Sequence, residues 1–79
     1  MKNVTIYTTP TCAYCKMAKE FFKKNNLEYT EFDVAEDMKA REDMVNKSHQ
    51  LGVPVIDIDG KIIVGFDKPT VAGLLNIKI

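Results

Sequence analysis

Cys12 and Cys15 are the only thiols in the chain. They sit three positions apart in the stretch TTPTCAYCKMAKEFF, where strand-forming residues give way to helix formers. Three chemistries use such a pair: a structural disulfide, half of a metal site, or a redox couple. A tetrahedral zinc site takes four Cys or His ligands, usually as two pairs, and the chain adds only His49, far along the sequence. A disulfide between residues this close shuts a very short loop and removes little entropy from the unfolded chain. It would also meet cytosolic reductants. A redox couple fits each physical requirement. Positions i and i+3 on a helical turn lie about 5–6 Å apart, inside the range of about 4.4–6.8 Å between Cα atoms that a disulfide tolerates. Cys12 falls at a helix N-terminus, where free N–H groups and the helix dipole favour an anion, and Lys16 or Lys19 adds positive charge nearby. Cys15 falls one turn deeper on the apolar stripe, shielded and less acidic. Cys12 is therefore the expected attacking thiolate and Cys15 the thiol that releases the mixed disulfide.

The elements that position this pair read clearly. Val4 to Thr8 forms a first strand, with Val4, Ile6 and Thr8 on one side and Thr5 and Tyr7 on the other. Pro10 interrupts it. A helix then starts near Cys12 or Ala13, with Cys15, Ala18, Phe21 and Phe22 as its inner stripe and Tyr14 and Met17 on the flank. Lys23, Lys24 and Asn25-Asn26 end it. A second strand is expected from Glu28 to Val34. A surface helix follows from Asp37 to Lys47, with Met38, Ala40, Met44 and Val45 as its apolar positions, the two methionines as gap fillers. His49 near its end is read as a solvated C-terminal residue. Val55 to Ile58 and Lys61 to Val64 are strands joined by Asp59-Gly60, a turn that needs positive φ. A last helix starts near Lys68, with Pro69 in its first position and Val71, Leu74 and Leu75 facing inward. The order β-α-β-α-β-β-α implies one α/β domain over residues 1–79. The first two strands are parallel, the last two antiparallel, and helices cover both faces of a mixed four-stranded sheet.

Composition narrows the partners. Of 79 residues, 46% are hydrophobic and 28% charged, with 11 basic against 11 acidic residues. Zero net charge gives no electrostatic footprint for nucleic acid. No apolar run approaches the roughly 20 residues of a membrane helix, and Met1-Lys2-Asn3-Val4-Thr5 leads into alternation rather than a signal-peptide core. The expectation is a cytoplasmic monomer, a setting in which a cysteine pair is more often catalytic or metal-binding than structural.

Three stretches, IYTTPTCAYCKMAK, GVPVIDIDGKIIVG and FDKPTVAGLL, together make nearly the whole chain resemble a glutaredoxin of the thioredoxin-fold superfamily. The resemblance implies a thiol–disulfide oxidoreductase with Cys12 and Cys15 as its catalytic pair and no bound metal or cofactor. It implies a cis Val53-Pro54 peptide that turns the Val53 backbone toward the site, where an extended substrate can pair as an added strand. The implied substrates are glutathione, its mixed disulfides and protein disulfides, with glutathione as the reductant. Thr9, Tyr14, Val53, Pro54, Gly65, Phe66 and Asp67 are the implied glutathione contacts: Tyr14 shapes the groove, and the γ-glutamyl carboxylate meets the start of the last helix near Phe66 and Asp67. Asp67 reads equally well as a helix cap, and Phe66 as a packing residue against the core. Two departures stand out. Many glutaredoxins carry lysine where this chain has Thr9, and Gly-Gly-x-Asp-Asp or Gly-Gly-x-Asp-Glu where it has Val64-Gly65-Phe66-Asp67-Lys68. Thr9 brings no charge to a glycyl carboxylate, a role left to Lys16, Lys47 or Lys68. The Gly-Phe pair is similar to redoxins reduced by thioredoxin reductase that serve ribonucleotide reductase. Other relatives hold an iron–sulfur cluster between two subunits.

Overall fold

The computed structural model describes residues 3–77; the sequence reading at Met1 and Lys2 lies outside them. The chain runs β1 (Val4–Thr8), α1 (Ala13–Lys24), β2 (Thr30–Asp33), α2 (Met38–Ser48), β3 (Val55–Ile58), β4 (Lys61–Val64) and α3 (Lys68–Leu74). The sheet order is β2-β1-β3-β4. β1 and β2 are parallel, while β1–β3 and β3–β4 are antiparallel. This is the thioredoxin-like arrangement that the element order implies.

Strand alternation sorts the core into two layers. Val4, Ile6, Ile56, Ile58 and Ile63 pack with Ala18, Phe21 and Phe22 of α1 and Val71 and Ala72 of α3. On the other face, Tyr7 and Val55 pack with Ala40 and Met44 of α2 and with Val34. Fully burying a side chain of this size contributes roughly 1.5–3 kcal/mol, so the first layer dominates stability. It also holds α3, a seven-residue helix whose Gly73 costs about 1 kcal/mol relative to alanine. Among the described residues no helix is long and apolar enough to cross a membrane.

The hairpin between β3 and β4 turns as its sequence demands, with Asp59 at φ 51° and Gly60 at φ 90°. Boundaries move by one or two residues, α2 running Met38–Ser48 where Asp37 to Lys47 is expected. β2 is shorter than expected: its ladder begins at Thr5↔Thr30, so Glu28 and Tyr29 stay outside. The Tyr29 ring instead lies 5.3 Å from that of Phe22, a tertiary contact that gives an apolar residue a place without strand pairing. Pro69 occupies the second helical position, because Asp67 is the cap and Lys68 comes first. Leu75 is the residue that ends α3 rather than one inside it, yet it still packs on the first core layer. Met44 fills the core, whereas Met38 is 64% exposed and fills no gap, since α2 turns that position outward. His49 is exposed and ends α2 in the left-handed region at φ 60°.

Candidate active site

Cys12 is the cap of α1. Its backbone is extended (φ −85°, ψ 112°), and its Sγ accepts the N–H of Cys15 at 3.1 Å. A free N–H of the first turn, which would otherwise need water or a capping oxygen, therefore points at sulfur. Such a contact stabilises charge on the acceptor. The carbonyl of Thr9 accepts the N–H of Cys12 at 3.3 Å, which ties the loop after β1 to the cap. Both cysteines are free thiols, Cys12 partly exposed and Cys15 buried.

Cys15 differs sharply from its neighbour. It is 1% exposed, and burial pushes its thiol up to about 12, with a side-chain hydrogen bond to Cys12 acting in the same direction. The Thr9 backbone and the Lys19 ammonium pull the other way. The expected shielding of Cys15 is thus present, and its thiol is hard to ionise while Cys12 is free.

The remaining expected contacts fall into separate groups. Val53-Pro54 is cis; Pro54 is buried and Val53 half-buried. The β1–β3 ladder stops at Tyr7↔Val55, and among the described residues the Val53 backbone has no hydrogen-bond partner within the chain. Gly65, at φ 82°, donates its N–H to the Pro54 carbonyl at 2.8 Å, which fixes the end of β4 against the loop before β3. Tyr14 stands 63% exposed on the first turn of α1. Phe66 lies with its ring 5.8 Å from that of Phe21 and packs on the core layer. Asp67 caps α3: its carboxylate accepts the Thr70 N–H at 3.4 Å and the Thr70 hydroxyl at 2.8 Å. Among the described residues, no three Cys, His, Asp or Glu side chains gather into a group that could hold a metal ion.

The cations are placed differently from the sequence reading. Lys19 reaches Glu31 at 2.8 Å, and the same Glu31 oxygen accepts the buried Thr8 hydroxyl at 2.8 Å. Lys47 lies 3.0 Å from both the Tyr7 hydroxyl and the Asp57 carboxylate. Lys68 sits over the Phe21 ring at 5.6 Å. Thr8, Glu31, Tyr7 and Asp57 carry no chemical motif. The one signal available beforehand was alternation, which sets Glu31 on the side of an edge strand opposite Phe32.

The comparisons agree with this geometry. Residues 4–63 match the Glutaredoxin family model. The chain is 51% identical over 73 residues to an uncharacterized glutaredoxin-like 8.6 kDa protein in the rubredoxin operon of Clostridium pasteurianum, covering 92% of this chain and 97% of that one. It is 37% identical over 67 residues to glutaredoxin 3 of Escherichia coli strain K12, covering 85% of this chain and 81% of that one. A mutant of the thioredoxin-like protein BC3987 superposes with a TM-score of 0.91 at 38% identity, covering 99% of this chain and 100% of that one. Sequence and fold thus agree on the same relatives, and the chain belongs to the glutaredoxin family of thiol–disulfide oxidoreductases.

Proposed function

We propose that the protein reduces protein disulfides and glutathione mixed disulfides by a dithiol route, with glutathione as the electron source. The observation that carries this reading is the Cys15 N–H held 3.1 Å from the Cys12 sulfur. The Cys12 thiolate attacks one sulfur of the substrate disulfide. A Cys12–substrate disulfide forms, and the second substrate sulfur leaves as a thiolate and takes up a proton. The Cys15 thiolate then attacks the Cys12 sulfur, closes the Cys12–Cys15 disulfide and expels the bound thiolate. Two molecules of glutathione return the pair to the dithiol and become glutathione disulfide. No bound cofactor enters these steps.

The glutathione backbone would pair with Val53, whose N–H and C=O have no partner among the described residues. Tyr14 and Thr9 would line the groove, with Pro54, Gly65, Phe66 and Asp67 on its far side. Protein partners are disulfide-bearing or glutathionylated chains, met by a monomer in the cytoplasm.

A second reading, reduction by thioredoxin reductase with electrons passed to ribonucleotide reductase, is favoured by the cations. Thr9 carries no charge, Lys47 is engaged by Tyr7 and Asp57, and Lys68 covers Phe21. Of the lysines considered for a glycyl carboxylate, Lys16 is left. The deciding experiment follows reduction of the oxidised protein by glutathione and, separately, by thioredoxin reductase with NADPH. Rapid reduction by glutathione is expected; reduction by the enzyme alone would overturn the glutathione assignment.

A further inference from the structure

The resolving step asks a buried thiol to ionise. Two of the influences that hold Cys15 protonated come from Cys12 itself, a hydrogen bond and charge repulsion. Once Cys12 is tied into a mixed disulfide its charge is gone, so the repulsion ends and the hydrogen bond falls to that of a weak neutral acceptor. What then opposes ionisation is burial, and what favours it is the Thr9 backbone and the charge of Lys19.

Lys19 follows Cys15 by four residues, so the two side chains are neighbours on one face of α1. A lysine there ordinarily extends into water, because its stem is flexible and its ammonium strongly hydrated. Here the ammonium is held. Glu31 Oε2 takes it at 2.8 Å, and the lysine side chain is only 27% exposed. The same oxygen is fixed from the other side by the buried Thr8 hydroxyl at 2.8 Å. Thr8 and Glu31 belong to paired strands, β1 and β2, so the anchor is built on the sheet rather than on the helix. The other charged and titratable groups around this corner are Lys23, which acts on Glu31, and Tyr29, which acts on Lys19.

We propose that Thr8 and Glu31 are positioning residues for the resolving step: they hold the Lys19 ammonium on the face of α1 that carries Cys15, where its charge assists the thiol that expels the substrate. The inference rests on the dithiol route of the proposed function and makes no use of glutathione. The test is therefore stopped-flow oxidation of the reduced protein by dithiobis(nitrobenzoate), which releases one coloured thiolate in each of two steps. The first release is attack by Cys12 and scales with reagent concentration. The second is attack by Cys15 on the mixed disulfide and does not. The wild-type second phase reads the dithiol route itself, and its ratio to a variant reads the role of Lys19.

Lys19→Met should slow the second phase at neutral pH by about threefold, the size of a partly exposed charge interaction, and shift its pH profile upward, with a smaller effect on the first phase. Lys19→Arg, which keeps the charge and reaches Glu31, should restore most of the rate. Glu31→Gln should fall between them. Identical second-phase pH profiles in wild type and Lys19→Met would overturn the inference. So would a Lys19→Arg protein that behaves like Lys19→Met, because the effect would then be loss of packing rather than of charge.

Discussion

α1 and α2 begin in the same way and serve different ends. Each follows a capping residue in extended backbone: Cys12 at φ −85°, ψ 112° and Asp37 at φ −97°, ψ 98°. Each cap accepts the N–H three residues on, at 3.1 Å for Cys12 and 3.0 Å for Asp37. The carboxylate is an ordinary cap and stabilises its helix. A sulfur is a weak acceptor as a thiol, and charge-assisted hydrogen bonds are roughly twice as strong as neutral ones. α1 therefore gives up the better cap and gains a nucleophile at the same position.

The largest effect expected from breaking this comparison is on turnover. Cys12→Ser keeps a capping hydroxyl but removes the nucleophile: disulfide reductase activity should fall to background while the melting temperature moves little. Retained turnover would remove Cys12 from the mechanism. Cys15→Ser should spare the cap, which uses only its N–H, and abolish closure of the intramolecular disulfide. Intact-mass measurement should then find glutathione trapped on the chain after a glutathione disulfide challenge. A smaller effect is expected at the ordinary cap. Asp37→Ala should cost about 1 kcal/mol, or roughly 4–8 °C in a domain of this size, with turnover unchanged. Calorimetry and a rate assay on one preparation check both halves. The converse exchange, Cys12→Asp, should raise the melting temperature slightly in an inactive protein; a lower value would show that the α1 terminus rejects a carboxylate.

The smallest effect concerns the charge that anchors α1 to the sheet. The Lys19 hydrogen bond holds Glu31 below the usual carboxylate range. A depressed carboxylate stabilises the fold above its unfolded value, near 4.5, and that contribution is lost as pH falls through the folded value. Glu31 is too exposed for a large effect, so less than about 1 kcal/mol is at stake. Urea midpoints compared at neutral pH and below pH 4.5 should show a slightly steeper acid loss in wild type than in Glu31→Gln. Equal acid losses would mean that the pair adds nothing to stability.

What could be read from the sequence divides by distance along the chain. The cap, the burial of Cys15 and the positive-φ turn at Asp59-Gly60 are local, set by residues within one turn of each other, and all were legible. Strand order followed from the β-α-β connection and the hairpin. The limits of β2 were not legible, because Leu27 and Tyr29 are apolar whether they pair with β1 or merely pack on Phe22. The lysines were harder still. Lys47 meets Tyr7 across 40 positions, and Lys19 meets Glu31 across 12. Neither pairing leaves a periodic trace, so lysines free in the sequence proved to be committed in the fold. Asp67 and Phe66 were half legible: a cap and a core contact were each one of two readings of the sequence, and both are present in the fold.

The two outer strands have a consequence for life in a crowded solution. β2 and β4 are each four residues long, and each carries an exposed charge, Glu31 on one and Lys61 on the other. Short, charged borders make a poor template for a stray chain seeking to extend the sheet. A small thiol–disulfide oxidoreductase is in this way guarded against association through its sheet edges.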